Sequence, residues 1–272
     1  MSENIFDVRD ATYRYQDVTA LENVSLSIPR GQRVAVLGAN GSGKSTLLRL
    51  LDGLNFADSG SVEFGGATLS EDALQEDDFC FDFRRRVALV FQNPDVQLFS
   101  PTVFDEVAFG PLQLRWKNDE IRACVNETLE LLDIAHLKDR SPHRLSGGEK
   151  KRVALACVLI LDPEVLLLDE PTAALDPQSQ SQVIDFLIGW RGQKTIITAT
   201  HDLHIVEDIA DYCYVFQRGK LVAQGLPRDI LGNEELLRET HLIHAHRHAH
   251  PSGVVHSHPH RHGPHEHPHE HS

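Results

Sequence analysis

Basic residues are scarce in this 272-residue chain: 26 lysines and arginines stand against 40 aspartates and glutamates, a formal charge of −14 with histidines neutral. A chain so acidic is not built to hold nucleic acid or an anionic lipid surface by bulk charge. Long hydrophobic runs are also missing. The longest, such as Val153 to Leu161, fall well short of the roughly 18 residues that a membrane-spanning helix needs. The N-terminal stretch Met-Ser-Glu-Asn-Ile-Phe-Asp lacks the basic and apolar regions of a signal peptide. The four cysteines (Cys80, Cys124, Cys157 and Cys213) are scattered and form no Cys-x-x-Cys pair. That argues against a disulfide framework or a zinc knuckle and for reduced thiols, with Cys157 and Cys213 expected to be buried. These absences point to the cytoplasm. The apolar fraction, 41%, is that of an ordinary soluble domain.

What is present begins at Gly38-Ala-Asn-Gly-Ser-Gly-Lys-Ser45. This is a glycine, four residues, then Gly-Lys-Ser, with the β-branched run Arg33 to Leu37 before it and the helical stretch Thr46 to Leu51 after it. Strand, glycine loop and helix together make a phosphate-binding loop. Gly38, Gly41 and Gly43 let the backbone curl so that the N–H groups of Asn40, Ser42 and their neighbours face phosphate oxygens. The helix start at Thr46 adds unpaired N–H groups and partial positive charge. Lys44 would reach the β- and γ-phosphates, and Ser45 would place its hydroxyl on Mg²⁺.

Upstream, Ile5 to Tyr15 and Leu21 to Ile28 read as two strands. Tyr13 and Tyr15 share a face, and either fits a stacking role on a base as readily as plain packing. Downstream, residues 70 to 82 are acidic and run into Arg84-Arg-Arg86; they read as a solvated loop. Val87 to Phe91 reads as a buried strand ending in Gln92, where a polar side chain can face a ligand. From Thr102 to Leu161 the pattern turns helical, with Ile121, Val125, Leu129 and Leu132 at helical spacing. Ser146 and Glu149 form a capping box at the start of the next helix. A cap alone does not explain Gly147 and Gly148, which weaken the first turn but let a phosphate approach bare backbone.

Val165 to Asp169 is a continuous apolar strand ending in Asp169-Glu170, and Thr195 to Thr200 is another, ending in His201. Ligands of open α/β sheets bind beyond the carboxyl ends of the strands. Lys44, Gln92, Asp169, Glu170 and His201 are thereby expected at one edge. Asp169 suits Mg²⁺, and Glu170 suits the orientation and deprotonation of a water. Tyr212 to Gln217 and Lys220 to Gln224 close the domain as a hairpin, with short helices to about Arg238. The expected fold is α/β, a parallel core sheet with an antiparallel layer and a helical subdomain.

Over residues 5 to about 238, the chain resembles the ATP-binding subunit of an ATP-binding-cassette (ABC) transporter, a P-loop NTPase fold. Gly38 to Ser45 is similar to the Walker A loop, Gln92 to the Q-loop glutamine, and Leu145-Ser-Gly-Gly-Glu149 to the signature motif. Val165 to Asp169 with Glu170 is similar to Walker B and the catalytic glutamate, Ala173-Ala-Leu-Asp176 to the D-loop, and His201 to the switch histidine. Two departures are mild: Glu149 stands where glutamine is usual, and Ala174 where serine is frequent.

By this resemblance Tyr15 should stack on adenine, with Tyr13 as fallback. Glu170, His201 and Gln92 should be catalytic, and Ser45, Gln92 and Asp169 should serve Mg²⁺. Two chains should pair head to tail, with Ser146, Gly147 and Gly148 of one capping the ATP of the other. The stretches Gln92 to Val103 and Glu106 to Pro111 resemble the energy-coupling-factor type, especially its cobalt/nickel branch. That implies a transmembrane coupling subunit and a substrate-capturing membrane subunit as partners, with the ATPase peripheral on the cytoplasmic face of the membrane.

Composition changes after Thr240. The ATP-binding domain is expected over 1–240, with its helical subdomain at about 98–162. Residues 241–272 are histidine-rich, prolyl and nearly free of apolar residues, a disordered tail by composition. Neutral imidazoles suit Ni²⁺, Co²⁺, Cu²⁺ and Zn²⁺, and the tail itself does not choose among them, since the Irving–Williams order favours copper over nickel or cobalt. His256, His258, His260 and His262, with His265, His267, His269 and His271, offer ligands that Glu266 and Glu270 could supplement. Ligation should weaken as pH falls through the histidine range. The sequence favours an ATPase that powers nickel or cobalt import. A vitamin-importing ATPase of the same type, or a metal buffer with incidental ATPase, are the rival readings.

Overall fold

The computed structural model describes residues 3–189, 194–249 and 255–260, and side chains through Ile243. Three strands and a helix open the chain: β1 (Asn4–Tyr15), β2 (Val18–Pro29), β3 (Arg33–Leu37) and α1 (Lys44–Leu51). They are followed by β4 (Ser59–Phe64), β5 (Ala67–Thr68), α2 (Asp77–Arg86) and β6 (Val87–Val90). The helices α3 (Val103–Gln113), α4 (Asn118–Leu131) and α5 (Gly147–Leu159) come next, then β7 (Val165–Asp169), α6 (Pro177–Gly189) and β8 (Thr195–Thr200). The domain ends with α7 (Val206–Ile209), β9 (Tyr212–Gln217), β10 (Lys220–Gly225), α8 (Pro227–Leu231) and α9 (Glu234–Glu239).

Two sheets organise these elements. The first is antiparallel, ordered β2-β1-β4-β5. The second is ordered β10-β9-β3-β8-β7-β6; its strands run parallel except for β10, which hairpins back along β9. Its central strands β3, β7 and β8 are buried at every position, which explains their unbroken apolar runs. One core cluster packs α1 and the inner faces of both sheets around Phe6, Leu47, Phe83 and Phe216. The other packs α3, α4 and α5 against the opposite face of the parallel sheet. Because β3, β6, β7 and β8 run parallel, the residues after Leu37, Val90, Asp169 and Thr200 all emerge at one edge.

The solvated loop expected at residues 70 to 82 is corrected: a short 3-10 turn at Ala73–Gln75 leads into helix α2. Asp77 and Asp78 occupy its first turn and Arg84, Arg85 and Arg86 its last, the arrangement a helix dipole favours. Asp82 pairs with Arg86 one turn on, and Phe79 stacks on the buried Phe83. The charge run is therefore the outer face of an amphipathic helix.

Cys213 is buried as expected, and burial pushes its thiol up to about 12. Cys157 is only half-buried by exposure, though it packs on the core and its thiol is also pushed upward by desolvation.

The folded part extends slightly past the expected boundary. Thr240, Leu242 and Ile243 are buried, the last two within the helical core cluster. Beyond them, where disorder is expected, the backbones of His244–Ala249 and Val255–His260 form an antiparallel ladder. Its register sets His244 opposite His260, His246 opposite His258 and His248 opposite His256. An every-second-residue histidine pattern has the period of a strand. The expected ligands His262, His265, His267, His269 and His271 lie outside the described residues.

Candidate nucleotide site

The loop from Gly38 to Gly43 joins β3 to α1 and shapes an open cleft of about 460 Å³. Asn40, Gly41, Ser42, Gly43, Lys44, Ser45, Thr46, Gln92 and Glu170 line it, with Val18, Thr19 and Ala20 along one side. Two glycines are required by their surroundings. A Cβ at Gly38 would meet Ser42 Oγ at 2.3 Å and the Phe216 carbonyl at 2.6 Å. One at Gly43 would meet the Ala20 carbonyl at 2.8 Å, and the residue's φ of 109° is hostile to any other side chain. Gly43 also leaves the start of α1 without a side-chain cap, so first-turn N–H groups remain available to an anion.

Lys44 is buried. Its Nζ donates to the Gly38 carbonyl at 2.7 Å and the Ala39 carbonyl at 3.3 Å, and lies 3.3 Å from Glu170 Oε1. Glu170 is 3% exposed and sits just past β7 with φ of 48°, the left-handed region that a side chain adopts at a cost of about 1–3 kcal/mol. Its N–H still bonds the Ala199 carbonyl, so the ladder to β8 holds the turn in place. Its carboxylate receives Thr200 Oγ1 at 3.2 Å and faces His201 Nδ1 at 2.8 Å. His201 Nδ1 and the Glu170 carboxylate are hydrogen-bond partners, and in the tautomer that carries its proton on Nδ1 the ring leaves Nε2 to face a phosphate oxygen.

Asp169 also sits at this edge. Burial raises its carboxyl above the usual range, opposed by a hydrogen bond from the Ser45 hydroxyl and reinforced by the Glu170 charge. Asp169 Oδ1 and Ser42 Oγ are buried without a hydrogen-bond partner among the described residues. Orphaned buried oxygens are rare, and a carboxylate beside the Ser45 hydroxyl, at the edge where Gln92 lines the cleft, offers the oxygen donors that a hard cation takes. The residues therefore fit Mg²⁺ held by Ser45, Asp169 and Gln92.

Of the expected residues, the structure brings Asn40 to Thr46, Gln92, Asp169, Glu170 and His201 to one edge. Tyr15 is placed differently from the cleft-lining residues. Its hydroxyl accepts from Arg49 Nη1 at 3.2 Å and Asn55 Nδ2 at 3.1 Å, and its ring stands edge-on to Tyr13. Ser146 and Gly147 are exposed, and with Gly148 they lie outside the lining of the cleft. They form the start of α5, where the capping box is present: the Glu149 N–H donates to Ser146 Oγ at 3.4 Å and the Ser146 N–H to Glu149 Oε2 at 2.7 Å, and the Ser146 hydroxyl also donates to that oxygen at 2.8 Å. These bonds hold the Glu149 carboxyl below its ordinary range.

Sequence reasoning missed Lys151, whose Nζ donates to the carbonyls of Glu170 and Ala173 at 2.7 Å each. No local motif marks it; its partners lie about twenty residues away.

Among the described residues no helix is long and apolar enough to cross a membrane. The model of the ABC transporter family matches residues 21–173. The nickel import ATP-binding protein NikO of Rhodobacter capsulatus is 51% identical over 242 residues, 88% of this chain and 95% of that protein. The energy-coupling factor transporter ATP-binding protein EcfA of Methanoculleus marisnigri is 42% identical over 88% of this chain and 85% of its own length. Among solved structures, CbiO1 of Clostridium perfringens, part of the ABC transporter complex CbiONQ, superposes with a TM-score of 0.74 at 38% identity, covering 89% of this chain and 96% of that one. With the phosphate loop, the carboxylates and the histidine at one sheet edge, this chain belongs to the ABC transporter family and is an ATP-hydrolysing, ATP-binding subunit.

Proposed function

We propose that this ATPase energises the import of nickel or cobalt ions through a membrane transporter of the energy-coupling-factor type. It does so as a head-to-tail pair of identical chains on the cytoplasmic face of the membrane. The observation that carries the cargo is the 51% identity, over nearly the whole ATPase domain, to a nickel import subunit. The partners are a transmembrane coupling subunit and a substrate-capturing membrane subunit.

The geometry supports a sequence of roles. ATP lies along the phosphate loop, where the Lys44 charge moves from Glu170 and the loop carbonyls to the β- and γ-phosphates. Tyr15 lies outside the cleft lining but hydrogen-bonds Thr46, which lines it, and its exposed ring is the one assigned to the adenine. Ser45, Asp169 and Gln92 would hold Mg²⁺, which would neutralise phosphate charge when bound. Glu170, released from Lys44, accepts a proton from the attacking water, and His201 steadies the γ-phosphate through Nε2. Ser146, Gly147 and Gly148 complete the site of the partner chain, which matches their distance from their own cleft. Closure then depends on the γ-phosphate and is lost on hydrolysis.

The histidine tail serves as a reservoir of divalent metal. Its support is the alternating histidine spacing and the register that pairs three histidines of one strand with three of the next. Cellular nickel and cobalt, measured by elemental analysis in cells carrying the intact chain or Glu170→Gln, test the proposal. A selective fall of one metal in the variant is expected. Unchanged levels of both would refute metal import and leave the vitamin-importing alternative.

A further inference from the structure

Helix α5 carries the exposed turn of Ser146 and Gly147, yet its next turn is fastened to the loop that leaves Glu170. One contact bonds that loop directly, and two tie α5 to α6, which follows it. Lys151 Nζ bridges the carbonyls of Glu170 and Ala173. Gly148 lies so close to the start of α6 that an added Cβ would sit 3.1 Å from Ser179 Oγ and 3.7 Å from Asp176 Oδ2. Arg152 Nη1 donates to Gln182 of α6 at 2.7 Å.

The bridged segment is itself conformationally unusual. Glu170 and Ala174 both have left-handed backbones, with φ of 48° and 60°. Such turns persist only when their surroundings over-determine them. Lys151 bonds two carbonyls of this turn, those of Glu170 and Ala173. It is 7% exposed, and desolvation lowers its ammonium to about 8 despite the opposing charges of Glu170 and Asp169. A buried ammonium is costly unless paired, so its retention here needs the acceptors it has found.

We propose that Lys151 is a positioning residue for Glu170: it ties the catalytic base to the helix whose first turn meets the partner's ATP. This rests on the head-to-tail pairing proposed above. Engagement of Ser146 and Gly148 by a phosphate of the neighbouring chain draws on α5. Lys151 passes that displacement to the backbone of Glu170 and Ala173. One chain's base is thereby set by the nucleotide of the other site.

The test uses the full chain and three substitutions. Lys151→Met should lower kcat at least tenfold while KM for ATP stays within about twofold, and Lys151→Arg should recover a third or more of the activity. Sedimentation with ATP should show the same pairing in Glu170→Gln and in Glu170→Gln/Lys151→Met. Amide hydrogen exchange over 170–176 should slow on pairing in the first and not in the second. A wild-type kcat in Lys151→Met overturns the proposal, as does equal slowing of exchange in both proteins, or loss of pairing in parallel with kcat. If Lys151→Met does not fold, Lys151→Gln takes its place, since its amide still donates to one carbonyl. Failure of Glu170→Gln itself to pair with ATP refutes the head-to-tail reading instead, and the kcat-against-KM split still judges Lys151.

Discussion

Lys44 and Ser146 both stand at the start of a helix, but their surroundings are opposite. Lys44 is buried and bonded to Gly38, Ala39 and Glu170 of its own chain. Ser146 is exposed, and its hydroxyl is occupied by Glu149 three residues on. The first region is a preorganised cleft, in which a low local dielectric strengthens every charge. The second is a helix cap, stable alone, whose glycines leave backbone open to a group supplied from outside. In the head-to-tail pairing proposed above, one chain carries two unlike halves of a nucleotide site.

Substitutions should separate the halves, and the largest effects belong to the cleft. Glu170→Gln keeps its bonds to Thr200 and His201 in shape but removes the carboxylate proposed as the base. ATP hydrolysis should fall by about 10²–10⁴-fold while ATP still binds; turnover near wild type would mean that another group takes the proton. Lys44→Ala deletes the only ammonium lining the cleft among the described residues. Titration calorimetry should find ATP binding weakened by at least tenfold, and an unaltered isotherm would mean that the backbone cradle suffices.

The signature half should answer differently. Ser146→Ala should leave ATP binding to the single chain unchanged and cut turnover by about 10- to 150-fold, the scale of one charge-assisted hydrogen bond at about 1.5–3 kcal/mol. Weaker binding to the dilute, unpaired chain would place Ser146 in its own cleft and erase the contrast. The smallest effect on catalysis should come from the tail. A chain ending at Ile243 should hydrolyse ATP normally but lose most metal binding. One ending at Thr240 also loses the buried Leu242 and Ile243, about 2–5 kcal/mol of stability together, and should melt several degrees lower. Equal melting points would return the boundary to Thr240.

The cleft was legible because each of its parts is a strand followed directly by its polar residue: Leu37 before the glycine loop, Val90 before Gln92, Leu168 before Asp169 and Glu170, Thr200 before His201. Parallel register then brings those ends together without further information. Elements that depend on distant partners were harder to read. Helix α2 was hidden because Asp77, Asp78 and Arg84 to Arg86 look like a solvated charge run until Phe79 and Phe83 are seen to share its inner face. Lys151 gave no signal, since a lysine one turn into a helix is ordinary until the carbonyls of Glu170 and Ala173 are found beneath it. Leu242 and Ile243 were absorbed into the tail by composition, because two apolar residues beside a histidine-rich stretch form no period.

The separation of the two halves on one polypeptide has an evolutionary consequence. A duplicated gene can lose Glu170 in one copy and Ser146 in the other without either protein losing its fold, since the two residues sit in different local environments. Paired, such copies would retain one working site from the intact cap and the intact base, and the other would be free to drift. Once the gene is duplicated, a symmetrical pair built this way is one mutation from becoming a lopsided one, and selection can act on each site separately.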